Sequence, residues 1–158
     1  MIESWIDELA KVWQMNDGGF GNVRSYLLIG KAEFPASIDP KDLATQPIAL
    51  TIPGSLAPEY STGGPLFGIW SGVTEFHVAP DIDRGRLPAL LPWYGRILRA
   101  AVGHLKLNNT VELFMIEKRE DAITGPLALQ YGDEQLHWGF LVHWTVKERL
   151  EDQLTVSA

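Results

Sequence analysis

The sequence predicts an α+β fold: a mainly antiparallel sheet of about five or six strands, with two helices packed on one of its faces. Three observations support this prediction. Two segments carry apolar residues at three- and four-residue steps, as amphipathic helices do. Several other segments alternate apolar and polar residues, as half-buried strands do. The links between strands contain turn residues and favour hairpins over helical crossovers.

The first predicted element is a helix over Met1 to Trp13, because its apolar residues recur at helical spacing. Its end is predicted at Asn16-Asp17-Gly18-Gly19, since these residue types favour turns. A strand is predicted from Val23 to Ile29. The apolar side of the helix consists of Ile2, Trp5, Ile6, Leu9, Val12 and Trp13.

Two loops and two strands are predicted next. Phe34 to Gln46 contains two prolines and is predicted as a loop. Pro47 to Ile52 is predicted as a short strand, which Pro53-Gly54 closes. Ser55 to Pro65 is expected to be an exposed, mobile loop, because it holds a proline and a glycine pair among polar residues. Leu66 to Ala79 alternates between two faces and predicts a third strand.

The second helix is predicted after a turn over Pro80 to Arg86. Proline is tolerated only in the first turn of a helix, so Pro88 and Pro92 place its regular part after Leu91. The expected buried stripe consists of Leu90, Leu91, Tyr94, Ile97, Leu98, Ala101, Val102 and Leu105.

Three further strands are predicted in the last third of the chain. The first runs from Thr110 to Glu117 and the second from Leu127 to Tyr131. A charged stretch and the turn Thr124-Gly125-Pro126 separate these two strands. The last strand, Leu136 to Lys147, shows the clearest alternation of apolar and polar residues in the chain.

At 158 residues the chain has the length of one domain, expected to span residues 1–150 with a flexible tail at 151–158. Cysteine is absent, which excludes disulfides, a thiolate nucleophile and cysteine-ligated metals. The formal net charge is −7, so binding to nucleic acid, which depends on Lys and Arg, is not expected. No apolar run reaches the roughly 18–20 residues of a membrane span, and no signal peptide is recognised. We expect a soluble, intracellular protein.

The four histidines are the first candidates for a metal site, which needs two or three converging ligands. His137 and His143 share a predicted strand face but lie roughly 20 Å apart along it, so they cannot bind one ion together. His77 is still able to approach one of them across the sheet. His104 is explained by the favourable position of a cation at a helix C-terminus. We expect no metal site and no cofactor.

The other short motifs favour structural interpretations. Asp81 and Asp83 lack the further ligands of a calcium loop, so a turn is the better interpretation. The glycines of Gly18-Gly19-Phe20-Gly21 precede a strand, whereas a phosphate-binding loop follows one. Ser71 lies in the middle of a predicted strand, where a nucleophile elbow does not form. No catalytic residue is expected.

Eight stretches carry a resemblance when they are read in order. They are Lys31–Pro35 (KAEFP), Thr45–Leu50 (TQPIAL), Gly72–Pro80 (GVTEFHVAP), Leu87–Tyr94 (LPALLPWY), Leu107–Val111 (LNNTV), Gly125–Gly132 (GPLALQYG), His137–Gly139 (HWG) and Val146–Glu148 (VKE). The chain resembles a family of tailed-phage and prophage structural proteins, the small tail-terminator or tail-completion proteins at the head–tail neck. The resemblance covers nearly all of the chain and is one of pattern.

The resemblance implies a subunit that forms a ring, commonly a hexamer, which ends the tail tube and joins the tail to the head. It implies further copies of the chain, tail-tube proteins and head-connector proteins as partners. It also implies a location in the cytoplasm of the bacterial host during assembly, and afterwards in the tail or neck of the virion. An acidic chain suits a ring through which DNA slides, because like charges repel.

Two other classes of function stay open. One is a small-molecule-binding α+β domain, whose pocket between the helices and the sheet would be lined by Trp70, Phe76 or Trp93. The other is an enzyme that uses His77 or His143 with a neighbouring carboxylate. Clustering of those groups in one cleft, with shifted pKa values, would favour the enzyme.

Overall fold

The computed structural model describes residues 2–14, 23–27, 47–60, 64–80, 84–131 and 135–150. These residues confirm the predicted α+β fold, with six strands in one sheet and two α-helices. The elements are α1 (Ile2–Val12), β1 (Arg24–Leu27), β2 (Ile48–Glu59), β3 (Phe67–Ala79), a 3₁₀ helix (Arg84–Leu90), α2 (Trp93–Val102), β4 (Leu113–Ile116), β5 (Ile123–Tyr131) and β6 (Gln135–Arg149).

Several predicted segments lie outside the described residues. They are the loop from Phe34 to Gln46, the turn residues Asp81 and Asp83, and the tail at 151–158. The glycine stretch at 18–21 also lies outside them. In the described part of the chain, no helix is long and apolar enough to cross a membrane.

The sheet is mostly antiparallel and has the strand order β1–β2–β3–β6–β4. β4 pairs with the end of β6, and β5 pairs with the beginning of β6. Since β3 occupies the other side of β6, β4 and β5 follow one another along the same side. β1 and β2 are the exception to the antiparallel pattern, because they pair in parallel. Their link is therefore not the hairpin that the sequence favoured.

β2 is longer than predicted and includes much of the segment expected to be a mobile loop. Pro53-Gly54 does not end the strand: the pairing with β3 shifts there and then continues as far as Glu59, opposite Phe67. β1 lies beside β2 only at Ile48–Thr51. Among the described residues, Pro53 thus has a neighbouring strand on one side only. Such an edge tolerates proline, because the missing N–H is not needed there.

β5 also runs through a predicted turn. The sequence Thr124-Gly125-Pro126 lies inside the strand, where the pairing with β6 shifts between Thr124 and Leu127. The Gly125–Pro126 peptide bond is cis. The turn residues are thus accommodated as an irregularity within a longer strand.

Both helices cover the same face of the sheet. Trp13, just after α1, and Trp93 of α2 lie 5.1 and 6.1 Å, between ring centroids, from Phe76 of β3. Trp5 of α1 makes an edge-to-face contact with Trp144 of β6 at 6.0 Å. Such aromatic pairs stabilise a core beyond the area that they bury. The core therefore lies between the two helices and one face of β3 and β6.

α2 buries a different stripe from the predicted one. Its buried side chains are Trp93, Ile97, Ala100 and Ala101. The prediction was wrong for four other apolar residues, because the helix has two apolar sides and packing on a sheet buries only one of them. Those four residues are Leu91, Leu98, Val102 and Leu105, which are 50, 46, 66 and 41% exposed.

Candidate functional site

A row of three titratable side chains lies on the face of the sheet opposite the helices. The Nδ1 atoms of His77 on β3 and His137 on β6 are 3.2 Å apart. The Nε2 atom of His77 is 3.3 Å from Oε2 of Glu75. Both imidazoles are almost fully buried, at 0 and 1% exposed. The row therefore leads from a partly exposed carboxylate into the interior.

The row depends on an irregularity in the pairing of β3 with β6. His77 lies opposite Gly139, whereas Ala79 lies opposite Trp138, so β3 contains one extra residue at this point. Gly139 permits the close approach of the strands, because a Cβ atom there would lie 1.7 Å from the carbonyl oxygen of Phe76. The sequence left open whether His77 approaches His137 or His143. In the structure His77 contacts His137, which lies near the beginning of β6.

The hydrogen bonds of the row constrain where its protons lie. The Glu75 carboxylate accepts, so Nε2 of His77 carries a hydrogen. Nδ1 of a neutral His77 is then an acceptor, and Nδ1–H of His137 donates to it. Burial, and to a smaller extent the positive charge that His77 carries when it is protonated, lowers the pKa of His137 from 6.5 to about 4. His137 is therefore neutral at pH 7.

We expect the free energy of unfolding to fall as the pH is lowered from 7 to 4. The unfolded chain protonates His137 near pH 6.5, whereas the folded chain resists protonation until about pH 4. The stability that neutral His137 contributes is thus fully present above pH 6.5 and is lost as the pH falls toward 4. Each unit of pKa difference corresponds to about 1.4 kcal/mol, which gives a loss of about 3 kcal/mol. Urea unfolding at pH 7, 5.5 and 4 measures this loss.

The variant His137→Gln provides the comparison, since glutamine keeps an N–H donor but does not titrate. We expect its stability to depend less steeply on pH than that of the unmodified chain. His104→Gln is the matched control, because His104 is partly exposed and lies outside the row. Identical pH profiles for the unmodified chain and for His137→Gln would contradict this assignment.

His143 lies away from the row and lines a separate cavity of about 300 Å³. Ser71 and Glu117 also line this cavity. The hydroxyl of Ser71 is hydrogen-bonded to that of Ser55 at 2.8 Å. The backbone N–H of Glu117 donates to the carbonyl oxygen of His143 at 2.9 Å. In the described part of the chain, no side-chain hydrogen bond joins His143 to Ser71 or to Glu117. The cavity brings a histidine, a hydroxyl and a carboxylate near one another without linking them for proton transfer.

Arg119 is the cation of the same cavity, and two carboxylates hold it. Its Nη2 atom lies 3.0 Å from Oδ2 of Asp121, and its Nη1 atom lies 3.6 Å from Oε2 of Glu117. The hydrogen bond from Arg119 lowers the pKa of the Asp121 carboxyl below its usual value. Because these two carboxylates already neutralise its charge, Arg119 is expected to bind an anionic ligand only weakly.

The aromatic residues predicted to line a small-molecule pocket are packed together with other rings. Trp70 contacts Trp5 at 5.8 Å between ring centroids, and Phe76 contacts Trp93 at 6.1 Å. A second cavity, of about 350 Å³, lies elsewhere, beside α1 and the turn after α2. It is lined by Glu8, Val12, His104, Leu107 and Asn108.

The titratable row does not form a metal centre of the usual kind. Among the described residues, no group of three or more His, Cys, Asp or Glu side chains is placed to hold a metal ion. His77, His137 and Glu75 bond to one another in series and do not converge on one point. Their arrangement can relay or bury a proton, which is a different use of the same residue types.

Among the described residues, two surfaces carry exposed apolar side chains. The sequence predicted an exposed loop at the first of them and a buried stripe at the second. The β2 edge is the strand segment Ser55–Glu59 with the following Tyr60, in which Leu56 is 44% and Tyr60 80% exposed. The signal for the second surface was a surplus of apolar residues around α2, more than one buried side needs. This α2 seam consists of Leu91, Gly95, Leu98, Val102 and Leu105.

Comparison with known proteins does not name a family. No family model matches the chain, and no curated protein matches it. The functional interpretation therefore depends on the residues and surfaces of this chain.

Proposed function

We propose that this chain is a structural subunit of a tailed phage or prophage, which forms a ring at the end of the tail and joins the tail to the head. The sequence resemblance supports the phage role. The β2 edge carries the proposal that the chain assembles with further copies of itself. Among the described residues this segment has a neighbouring strand on one side only, and such a strand with exposed apolar side chains is a template for pairing with another chain.

The sheet has two unlike edges. In the described residues, the pairing of β1 with β2 ends at Thr51, so Ser55–Glu59 has a neighbouring strand on one side only. On the other side of the sheet, β5 pairs with β6 and with no other described strand. We call the outer side of Leu127–Tyr131 the β5 edge. Pro58 lies within the β2 edge and limits which of its residues can bond to a partner strand.

Unlike edges favour a head-to-tail contact. When the β2 edge of one copy meets the β5 edge of the next, the interface is heterologous, and its repetition closes into a ring if the rotation between copies allows. The sheets of neighbouring subunits then join at their edges. In this proposal the chain works through geometry and interface free energy, and its negative charge keeps passing DNA from sticking.

Introduced cysteines test the head-to-tail contact, because the chain contains none of its own. We expect a chain carrying both Leu56→Cys and Ala128→Cys to give, on oxidation, a ladder of cross-linked species that ends at one size. Leu56 is exposed on the β2 edge, and Ala128 is exposed on the β5 edge. Non-reducing electrophoresis measures the ladder.

The controls are the two single variants and the pair Leu98→Cys with Ala128→Cys, which moves one thiol to α2. All three are expected to stay monomeric on the gel. If Leu56→Cys alone were cross-linked to dimers as efficiently as the double variant, the contact would join like edges, and the head-to-tail ring would be wrong.

The phage role has a separate test in the genome and in the assembled particle. We expect the genes beside this one to encode tail-tube, tape-measure or portal proteins. Deletion of the gene is expected to give tails of uncontrolled length that do not join heads, since the ring would stop tube polymerisation. Tails of normal length that join heads without this chain would contradict the role.

A further inference from the structure

The α2 seam has the spacing of a helix–helix interface. Its positions follow one another at steps of four, three, four and three residues, as the a and d positions of a heptad repeat do. Gly95, Leu98 and Val102 lie on α2 itself, whereas Leu91 and Leu105 lie in the turns just before and after the helix. The positions in order are Leu91, Gly95, Leu98, Val102 and Leu105.

The described part of the chain leaves the seam uncovered. Its four large side chains are exposed to between 41 and 66%. A Cβ atom added at Gly95 would meet nothing within 4 Å, so the backbone of a second helix can come close to α2 at this point. The opposite side of α2 is buried against the sheet. The fold therefore holds α2 firmly and presents the seam outward.

One flank of the seam is basic. Arg99 occupies an e position of α2 next to the apolar stripe, and Lys106 follows seven residues later in the turn after the helix; both are exposed. Neither forms an ion pair within the described residues, and the Nζ atom of Lys106 donates to the carbonyl oxygen of Glu112 at 2.8 Å. Charges at such positions decide which partner helix is accepted. The g positions on the other flank carry no charge and are Tyr94, Ala101 and Asn108.

We infer that the α2 seam binds an amphipathic helix of a partner protein, with Asp or Glu beside its apolar stripe. A partner carboxylate next to Arg99 and Lys106 would pair with charges that form no ion pair with any described residue of this chain. The apolar stripe of the partner would cover Leu98 and Val102, as in other helix-in-groove complexes.

The seam of a second copy fits less well. In an antiparallel pair, e positions face e positions, so the two basic flanks would repel each other. In a parallel pair, Arg99 and Lys106 would face the uncharged flank and gain nothing. The seam is also distinct from the β2 and β5 edges, so this inference does not depend on the proposed ring.

Two synthetic peptides of about three heptads test the inference, with Leu at a and d. One carries Glu at e and g and the other Lys, so that repulsion keeps each from pairing with itself. Fluorescence anisotropy of the labelled peptides measures their binding to the full chain. We expect the Glu peptide to bind at least about tenfold more tightly than the Lys peptide. The double variant Arg99→Glu/Lys106→Glu is expected to reverse this order.

Leu98→Glu is expected to weaken binding of the Glu peptide at least about tenfold, because it places a charge in the centre of the seam. Leu136→Glu is the matched control, since Leu136 is 50% exposed on β6, and it is expected to leave binding unchanged. Circular dichroism verifies that each variant is folded. Equal binding of the two peptides, no binding of either, or unchanged binding by Leu98→Glu would overturn the inference. So would self-association of the unmodified chain that Leu98→Glu abolishes, because a second copy would then occupy the seam.

Discussion

Trp144→Ala is expected to lower the free energy of unfolding by about 4 kcal/mol, the usual cost of removing a fully buried Trp. Trp144 is 0% exposed, at the centre of β6. Its ring contacts Trp5 of α1 at 6.0 Å between centroids, and its Nε1–H donates to Oγ1 of Thr74 at 3.1 Å. The substitution leaves a cavity between helix and sheet and removes a hydrogen bond from a buried hydroxyl.

Trp138→Ala is the control for this prediction, because Trp138 lies on the same strand but is partly exposed. Its cost is expected to be at most about half as large, since less of the ring is removed from water in the folded chain. Urea unfolding followed by circular dichroism gives both values. An equal loss in the two variants would mean that Trp144 does not occupy the centre of the core.

Gly139→Ala is expected to destabilise the chain by about 3 kcal/mol or more. The added Cβ atom would lie 1.7 Å from the carbonyl oxygen of Phe76 and 2.8 Å from its carbonyl carbon. Both are backbone atoms of the neighbouring strand, so no side-chain rotation relieves the clash, and β3 and β6 must separate. Because His77 lies opposite Gly139, the substitution also displaces the histidine pair.

Gly95→Ala is expected to have the opposite effect on the free energy of unfolding. Nothing lies within 4 Å of a Cβ atom at Gly95, which is exposed within α2. Alanine there is expected to stabilise the chain by about 0.5–1 kcal/mol, because glycine loses more backbone freedom in a helix. Denaturant unfolding of the two variants side by side measures the contrast. Similar effects at both sites would contradict the close contact of β3 and β6 at Gly139.

The sequence predicts the elements whose pattern is local. The apolar side of α1 and the alternation along β3 and β6 each repeat several times within one element, so the period is unambiguous. Their buried residues, such as Trp5, Phe76 and Trp144, are found where the pattern places them.

The sequence-based predictions are wrong where the structure of a segment depends on its contacts with a distant part of the chain. Pro53-Gly54 is typical of a strand end, but β2 continues past it because that part of the strand is an edge. Which residues of α2 are buried depends on which of its two apolar sides packs on the sheet. The sequence of the helix alone does not show this, so Leu98 was predicted to be buried although it is exposed. The contact of His77 with His137 depends on one extra residue in β3, which alternation within a single strand does not show.

The assembly of the chain with itself is the claim on which the proposed function depends, and the mass of the native chain in solution tests it most directly. Sedimentation or light scattering over rising concentration is predicted to find one closed species, of six chains if the resemblance to tail-terminator proteins holds. Its size should stop increasing with concentration and should be the same in Leu98→Glu. Monomer alone at the highest concentration, or an open-ended series of sizes, would contradict the account.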